Sequence, residues 1–377
     1  MAQQLVTSLD ICSRKVNKEM NKVRQSRKLD HLKYSLALGD GPKASGFSEI
    51  SLIHNCLPDL ALHDITVSTS LAGISLQHPL VVNAITGGAN DVTVINERIA
   101  EFCSLTHTAM AVGSQYAAFE YHEVQASYKI VRAKNPNGII FANLGAYVTP
   151  EQAQMAVDMI DAQAIQIHLN TAQEITMAEG DRNFTGYLNN IAQIVNKVNV
   201  PVIVKEVGCG IAREQALLLA KTGAKAIDIG GAGGTNFLAI EAARRQLDAN
   251  IEFLSWGIPT VISALEVRSV LPENVDMMVS GGIRSPLDVV KSLTLGGTAV
   301  GMAAPIVKIL WEQDIEYAVG WFQQFLQEIR CFMLLTEAPD IEQLKRKPFI
   351  ISGYSRNWLE ARGVDISQYA VKSGRHG

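Results

Sequence analysis

The stretch "VPVIVKEVGCGIAREQALLLAKTGAKAIDIGG", which runs from Val200 to Gly231, contains a complete strand–helix–strand unit. Its two ends, "VPVIVKEVG" and "AKAIDIGG", are short and almost continuously apolar, as is typical of parallel strands buried on both faces. The segment between them carries apolar residues at helical spacing and ends at Gly223, a natural residue for the position after a helix. The stretch therefore predicts one βαβ unit of a parallel sheet.

Runs of the same kind recur along the chain, eight in all. The other six are "PLVVNA" from Pro79, "AMAVGS" from Ala109, "GIIFANLG" from Gly138, "AIQIHLN" from Ala164, "DMMVSGGI" from Asp276 and "AVGMAAP" from Ala299. Helical segments separate them, such as "TPEQAQMAVDMIDA", in which Thr149 is the predicted N-cap and Gln152 completes a capping box. Doubly wound sheets share this alternation, but eight units predict an α/β fold of the (β/α)8 TIM-barrel type.

No Pro-rich or Gly/Ser-rich linker divides the pattern, which predicts one barrel over residues 66–340. Residues 1–65 precede it as an N-terminal extension. Residues 341–377 follow it as a C-terminal tail packed on the barrel. The segment "WGIPTVISALEVRSV", from Trp256 to Val270, is interpreted as an extra helical insertion between strands six and seven.

Composition narrows the function classes. The 377 residues carry a formal net charge of -4, which argues against nucleic-acid or membrane-surface binding through clustered cations. The five cysteines are scattered and form no C-x-x-C pair, so they indicate reduced thiols. The start of the sequence lacks the apolar region of a signal peptide, and no apolar run is long enough to span a bilayer. We therefore expect a cytoplasmic protein.

Two glycine-rich strand ends are candidates for phosphate binding. In TIM barrels the active site lies at the C-terminal ends of the strands, and phosphate binds near strands seven and eight. "GGAGGT" after strand six and "SGGIRSPLDVV" after strand seven offer backbone N–H groups, the Thr235 hydroxyl and Arg284 beside a helix start. The pair favours one bound phosphate; the alternative is that the glycines only form tight turns.

Four polar residues lie at or just after the ends of strands four and five. Lys205 ends a buried strand, where it could stabilise an anion, form a Schiff base or pair with Glu206 or another acid. His168 is either a ligand contact or a satisfied core histidine. Gln173 and Glu174 follow in the next loop, and one carboxylate with substrate phosphates and waters is a common way to hold Mg2+.

A basic stretch precedes the barrel. "RQSRKLDHLKYS", from Arg24 to Ser35, includes Arg27 and Lys28, whose side chains suit phosphate oxygens. The alternative is a solvated basic helix end, which is common for a charge run.

Taken together, these motifs resemble the type 2, FMN-dependent isopentenyl-diphosphate delta-isomerase family. The most specific combination is "HLNTAQE", "GGAGGTNF" followed by "WGIPT", and the early "RK". The resemblance, which runs from about Arg27 to the tail, implies conversion of isopentenyl diphosphate to dimethylallyl diphosphate by a redox-neutral 1,3-allylic proton shift. It also implies reduced FMN as proton donor and acceptor, Mg2+, NADPH as the reductant of the flavin, and a homo-oligomer, either a tetramer or an octamer.

The resemblance also implies roles for individual residues. The expected FMN contacts are Ala84, Ile85, Thr86, Ser114, Asn143, Lys205, Thr235, Gly281, Gly282, Arg284, Ala303 and Ala304. The expected substrate contacts are Arg27, Lys28, Ser114, Gln115, Tyr116, His168 and Gln173. Glu174 is the expected Mg2+ ligand, and Lys205, His168 and Gln173 are expected to assist the flavin. Tyr116 stands where the family frequently has arginine.

Two other functions remain open at this point. A flavin oxidoreductase such as a 2-hydroxy-acid oxidase needs a catalytic histidine near strand six or seven, and "DIGGAGG" and "VSGGIR" contain none. A non-catalytic flavin- or phosphate-binding protein has no use for a metal-assisted diphosphate site. The joint presence of Arg27, Lys28, Gln173 and Glu174 therefore disfavours it.

Overall fold

A closed barrel of eight parallel strands forms the centre of the computed structural model, which describes residues 33–35, 37–84, 87–88, 92–246 and 250–371. Each of the eight predicted runs contains one barrel strand, so the TIM-barrel prediction is confirmed. The strands of the described chain are β1 Ile50–Leu52, β2 Thr69–Leu71, β3 Ile74–Leu76, β4 Leu80–Val82, β5 Ala109–Ala111, β6 Ile140–Gly145, β7 Ala164–Leu169, β8 Val202–Glu206, β9 Ala226–Asp228, β10 Asp276–Ser280, β11 Ala299–Met302 and β12 Phe349–Ile351. Strands β4 to β11 make the barrel, in which β11 pairs with β4 to close it.

Helices follow the barrel strands and surround them. Their bounds are α1 Thr93–Thr106, α2 Ala117–Glu120, α3 Ala126–Lys134, α4 Pro150–Ile160, α5 Thr171–Thr176, α6 Tyr187–Lys197, α7 Arg213–Ala220, α8 Phe237–Arg244, α9 Ile251–Leu254, α10 Thr260–Arg268, α11 Pro286–Thr294, α12 Ala304–Glu312, α13 Ile315–Leu335, α14 Ile341–Leu344, α15 Gly353–Ala361 and α16 Ser367–Ala370. Short 3-10 turns cover Phe47–Glu49, Leu62–Asp64 and His122–Val124. The predicted capping box of α4 is present, since Thr149 and Gln152 exchange side chain–backbone hydrogen bonds.

The N-terminal end of the barrel is closed by apolar side chains. The hairpin of β2 and β3 places Leu71 and Leu76 in one buried cluster with Phe141, Ile203 and Met278 from the barrel strands. A larger apolar layer lies between the strands and the surrounding helices. The interior is therefore a packed core at this end, and the opposite end remains for a site.

The segments that precede and follow the barrel in the sequence pair with each other. Strand β1 runs antiparallel to β12, with Ile50 opposite Ile351. The Glu49 carboxylate accepts hydrogen bonds from the backbone N–H groups of Tyr354 and Ser355 at 3.0 and 2.8 Å. The chain before the barrel and the chain after it therefore form one layer against the barrel.

The interpretation of Trp256–Val270 as an insertion is wrong. Helix α10 lies within this range, and its residues 260–267 are all buried. It packs against the barrel, with the Ser263 hydroxyl donating to the Ile211 carbonyl and accepting from its N–H, both at 2.8 Å. The additional helices after β9 are instead α8 and α9. Helix α10 was misread because the C-terminal tail covers its outer face, so it lacks the polar stripe of a surface helix.

In the part of the chain that the structure describes, the helices are all too short or too polar to cross a membrane.

Candidate functional site

A cavity that is open to solvent occupies the C-terminal end of the barrel. Most of the predicted site residues line it together, namely Ala84, Ser114, Asn143, His168, Gln173, Glu174, Lys205, Thr235, Gly281, Gly282, Arg284, Ala303 and Ala304.

Other predicted residues lie elsewhere. Gln115 is fully buried outside the cavity lining: its amide donates to the Ala156 carbonyl at 2.9 Å and accepts from the Asn143 N–H at 3.0 Å. It ties two barrel elements together, so its prediction as a substrate contact is wrong. Tyr116 also stands outside the lining, with its ring edge-on to Tyr147, which does line the cavity. The remaining predicted residues, Arg27, Lys28, Ile85 and Thr86, lie outside the described residues.

The floor of the cavity is a buried polar network. His168 Nδ1 lies 2.7 Å from Asn143 Oδ1, and Asn143 Nδ2 donates to Gln166 Oε1 at 3.4 Å. Gln166 Nε2 in turn donates to Asn83 Oδ1 at 3.1 Å. His168 is therefore held by a fixed partner and still borders the cavity, which reconciles the two interpretations of this residue. The sequence-based reasoning missed Asn83 and Gln166.

Lys205 lies beside a buried carboxylate. Its Nζ is 3.9 Å from Asp228 Oδ2 and donates to the Glu206 carbonyl at 2.8 Å. Lys205 and Asp228 are direct neighbours in the β8–β9 register. Asp228 is fully buried and also accepts from Asn83 Nδ2 at 2.7 Å and Ser280 Oγ at 2.5 Å. The acid partner of Lys205 is therefore Asp228, which is a polar residue in an otherwise apolar run and could have been noticed on that ground.

The Glu206 side chain turns away from Lys205 into its own loop. One carboxylate oxygen accepts from four successive backbone N–H groups, those of residues 207 to 210, at 2.5–3.2 Å. Burial raises the pKa of Glu206 to about 7, against the opposing effect of these N–H groups and of Lys205. The carboxylate shapes the wall of the cavity after β8.

The glycines after β9 and β10 allow three backbones to meet. A Cβ on Gly281 would stand 2.1 Å from the Gly231 carbonyl oxygen, and one on Gly233 would stand 2.3 Å from Ser45 Cα. A Cβ on Gly282 would meet the Gly233 carbonyl oxygen at 2.4 Å. Close packing therefore requires these glycines, and the same packing leaves a surface of bare backbone at the cavity. Arg284 lies beside this surface, with its guanidinium paired to Asp40.

Gln173 and Glu174 lie on α5, directly after β7, and also line the cavity. The Glu174 carboxylate accepts from Asn170 Nδ2 at 2.8 Å and from the Asp181 N–H at 2.9 Å. Gln173 Nε2 donates to Glu241 at 3.2 Å. Among the described residues, no cluster of three His, Cys, Asp or Glu side chains is suited to hold a metal ion. A cation here would depend on Glu174 as its protein carboxylate, with other ligands from the substrate and water.

Comparison with known proteins places this site in a family. Residues 132–351 match the family of FMN-dependent dehydrogenases. The sequence is 44% identical over 352 residues to an isopentenyl-diphosphate delta-isomerase from Geobacillus sp., covering 93% of this chain and 99% of that protein. It is 42% identical over 363 residues to the enzyme of the same name from Symbiobacterium thermophilum, covering 94% and 99%. The chain belongs to the isopentenyl-diphosphate delta-isomerase family. The predicted family and enzyme class are thereby confirmed.

The barrel is also similar to solved structures of other enzymes. A lactate oxidase from Pediococcus acidilactici matches with a TM-score of 0.63 at 17% identity, covering 86% of this chain and 87% of that one. A mandelate oxidase matches with a TM-score of 0.61 at 15% identity, covering 89% and 98%. At these identities the likeness concerns the fold alone.

Proposed function

We propose that the protein converts isopentenyl diphosphate to dimethylallyl diphosphate by a redox-neutral 1,3-allylic proton shift, with reduced FMN and Mg2+. The observation that carries the proposal is the meeting of two differently built sides in one cavity. The first side is the bare-backbone surface with Arg284 at the ends of β9 and β10, and the second side consists of the His168, Gln173 and Glu174 side chains at the end of β7. The first suits a cofactor phosphate and the second a metal-assisted diphosphate.

FMN fits the first side. The close backbones of Gly281 and Gly282 leave no space for a Cβ, and within the described chain the structure gives the Gly282 N–H no acceptor. These groups, with Thr235 and Arg284, would hold the phosphate. Lys205 would offer a positive charge to the flavin ring. When bound, the reduced flavin supplies an electron-rich ring and an exchangeable proton.

The second side would bind the substrate. His168 is oriented by Asn143, and Gln173 by Glu241, so both can position a diphosphate or the alkene without first losing conformational freedom. Glu174 would hold Mg2+ together with the substrate's phosphate oxygens. Arg27 and Lys28, in the proposed diphosphate-binding segment of residues 1–65, would add positive charge.

Further sequence-based predictions remain part of the proposal. NADPH would reduce the flavin before turnover, and the protein would act in the cytoplasm as a tetramer or octamer. Residues 66–340 would form the FMN-binding barrel and residues 341–377 the tail.

The test is product counted per flavin. The enzyme is reduced once without oxygen, freed of excess reductant and given isopentenyl diphosphate with Mg2+, and dimethylallyl diphosphate is followed by NMR. Many turnovers per flavin are expected, because substrate and product have the same oxidation state, and the oxidised enzyme should be inactive. A ratio at or below one would favour the flavin oxidoreductase alternative.

A further inference from the structure

Residues 37–47, here called the N-terminal segment, lie against the loops that form the bare-backbone surface. The Gly41 N–H donates to the Gly234 carbonyl at 3.3 Å, and Asn236 Nδ2 donates to the Gly41 carbonyl at 3.1 Å. Lys43 Nζ donates to the Gly257 carbonyl at 2.8 Å. The segment is therefore bonded to the loop after β9 at several points rather than resting on it.

A charged pair joins the N-terminal segment to the loop after β10. Arg284 Nε donates to Asp40 Oδ2 at 2.8 Å, and Nη2 of the same side chain donates to Asp40 Oδ1. Arg284 Nη1 donates to the carbonyl of Ile283 at 2.7 Å. The Asp40 carboxylate thus occupies one edge of the planar guanidinium. Within the described chain, Nη1 and Nη2 each retain one further N–H, which phosphate oxygens can engage.

We propose that Asp40 is a positioning residue that holds Arg284 for the cofactor's phosphate. The inference rests on the proposed FMN function. Fixing the long Arg284 side chain in advance removes conformational entropy that phosphate binding would otherwise lose. Repulsion between Asp40 and the phosphate is the opposing effect. It is weakened by water, because the Asp40 and Arg284 side chains are 40% and 35% exposed.

The first experiment compares two flavins. Apoprotein is titrated with FMN and with riboflavin, which lacks the phosphate, for wild type, Asp40→Asn and the exposed control Asp64→Asn. Asp40→Asn is expected to weaken FMN binding about five- to ten-fold, because the loss concerns a charge-assisted contact, and to leave riboflavin binding unchanged. Unchanged riboflavin binding also shows that the variant is folded. Tighter FMN binding by Asp40→Asn, or an equal loss for both flavins, would overturn the proposal.

The second comparison is between the two flavins in wild type alone. A wild-type protein that does not prefer FMN to riboflavin would contradict the proposed function as well.

Discussion

At the scale of single residues, Asp228 shows most directly what the sequence does and does not reveal. Lys205 was identified because an ammonium at the end of an apolar strand needs a partner. The partner could not be named, because it lies on the neighbouring strand and the register of β8 against β9 brings the two together. Gln115 was misassigned for a related reason: a polar residue after a strand can face the cavity or the helix layer, and the sequence pattern does not distinguish them.

Replacement of Asp228 should show how much its pairing with Lys205 stabilises the protein. In Asp228→Asn the Lys205 ammonium, which is 5% exposed, loses its buried counterion. We expect the free energy of unfolding to fall by about 3–5 kcal/mol, as when one member of a buried ion pair is removed. The measurement is urea denaturation at pH 7. Ser280→Ala removes one hydrogen bond from the same carboxylate without removing charge, so it should lower the free energy of unfolding by less. A larger decrease in Ser280→Ala than in Asp228→Asn would contradict the ion-pair argument.

His78 should make the protein sensitive to acid. It lies at the closed end of the barrel, with Nε2 3.2 Å from the Thr106 carbonyl, and burial lowers its pKa from 6.5 to about 4. Between these values the unfolded chain binds a proton that the native protein does not, so the free energy of unfolding falls as pH decreases from 6.5 to 4. Over this whole pH range, the free energy of unfolding is expected to fall by about 3 kcal/mol because of His78.

The check on His78 is urea denaturation across this pH range. His78→Gln keeps a polar side chain that does not titrate, so its stability should decline less steeply. His63→Asn serves as the control, because that imidazole is exposed. Parallel curves for wild type and His78→Gln would rule out this account.

At the scale of elements, the barrel strands were the most predictable part. A strand buried on both faces must be apolar at nearly every position, so the eight runs stand out in the sequence. Helix α10 was misread because burial on both sides removes the amphipathic pattern. Helix α8 begins at Phe237, which lines the cavity, and nothing in its sequence indicated that α8 contacts α5.

The contact between α8 and α5 should matter for the diphosphate and not for the flavin. Arg245, directly after α8, donates from Nη1 to the Thr176 carbonyl at 2.9 Å, at the end of the helix that carries Gln173 and Glu174. Arg245→Ala should raise the KM for isopentenyl diphosphate about five-fold or more, since a hydrogen bond from a charged group is lost, while FMN affinity stays the same. Arg356→Ala, on the exposed face of α15, is the matched control. An equal loss of FMN affinity would show that the contact between α8 and α5 does not act on the diphosphate alone.

At the scale of the whole molecule, the sequence predicted one barrel with a segment before it and a segment after it. It did not predict that these two segments pair with each other. The β1–β12 ladder joins residues from opposite ends of the described chain, and no local pattern announces a partner so distant in sequence. The consequence is a layer that covers α10. Trp358 Nε1 and Arg362 Nε both donate to the fully buried Glu266 carboxylate on that helix, at 3.1 and 2.8 Å.

The apolar hairpin of β2 and β3 also bears on how ligands reach the cavity. Because it closes one end of the barrel, a ligand enters the cavity from the opposite end. Cofactor and substrate would therefore enter and leave through the same opening. A change in the loops around that opening would alter the exchange rates of both ligands together.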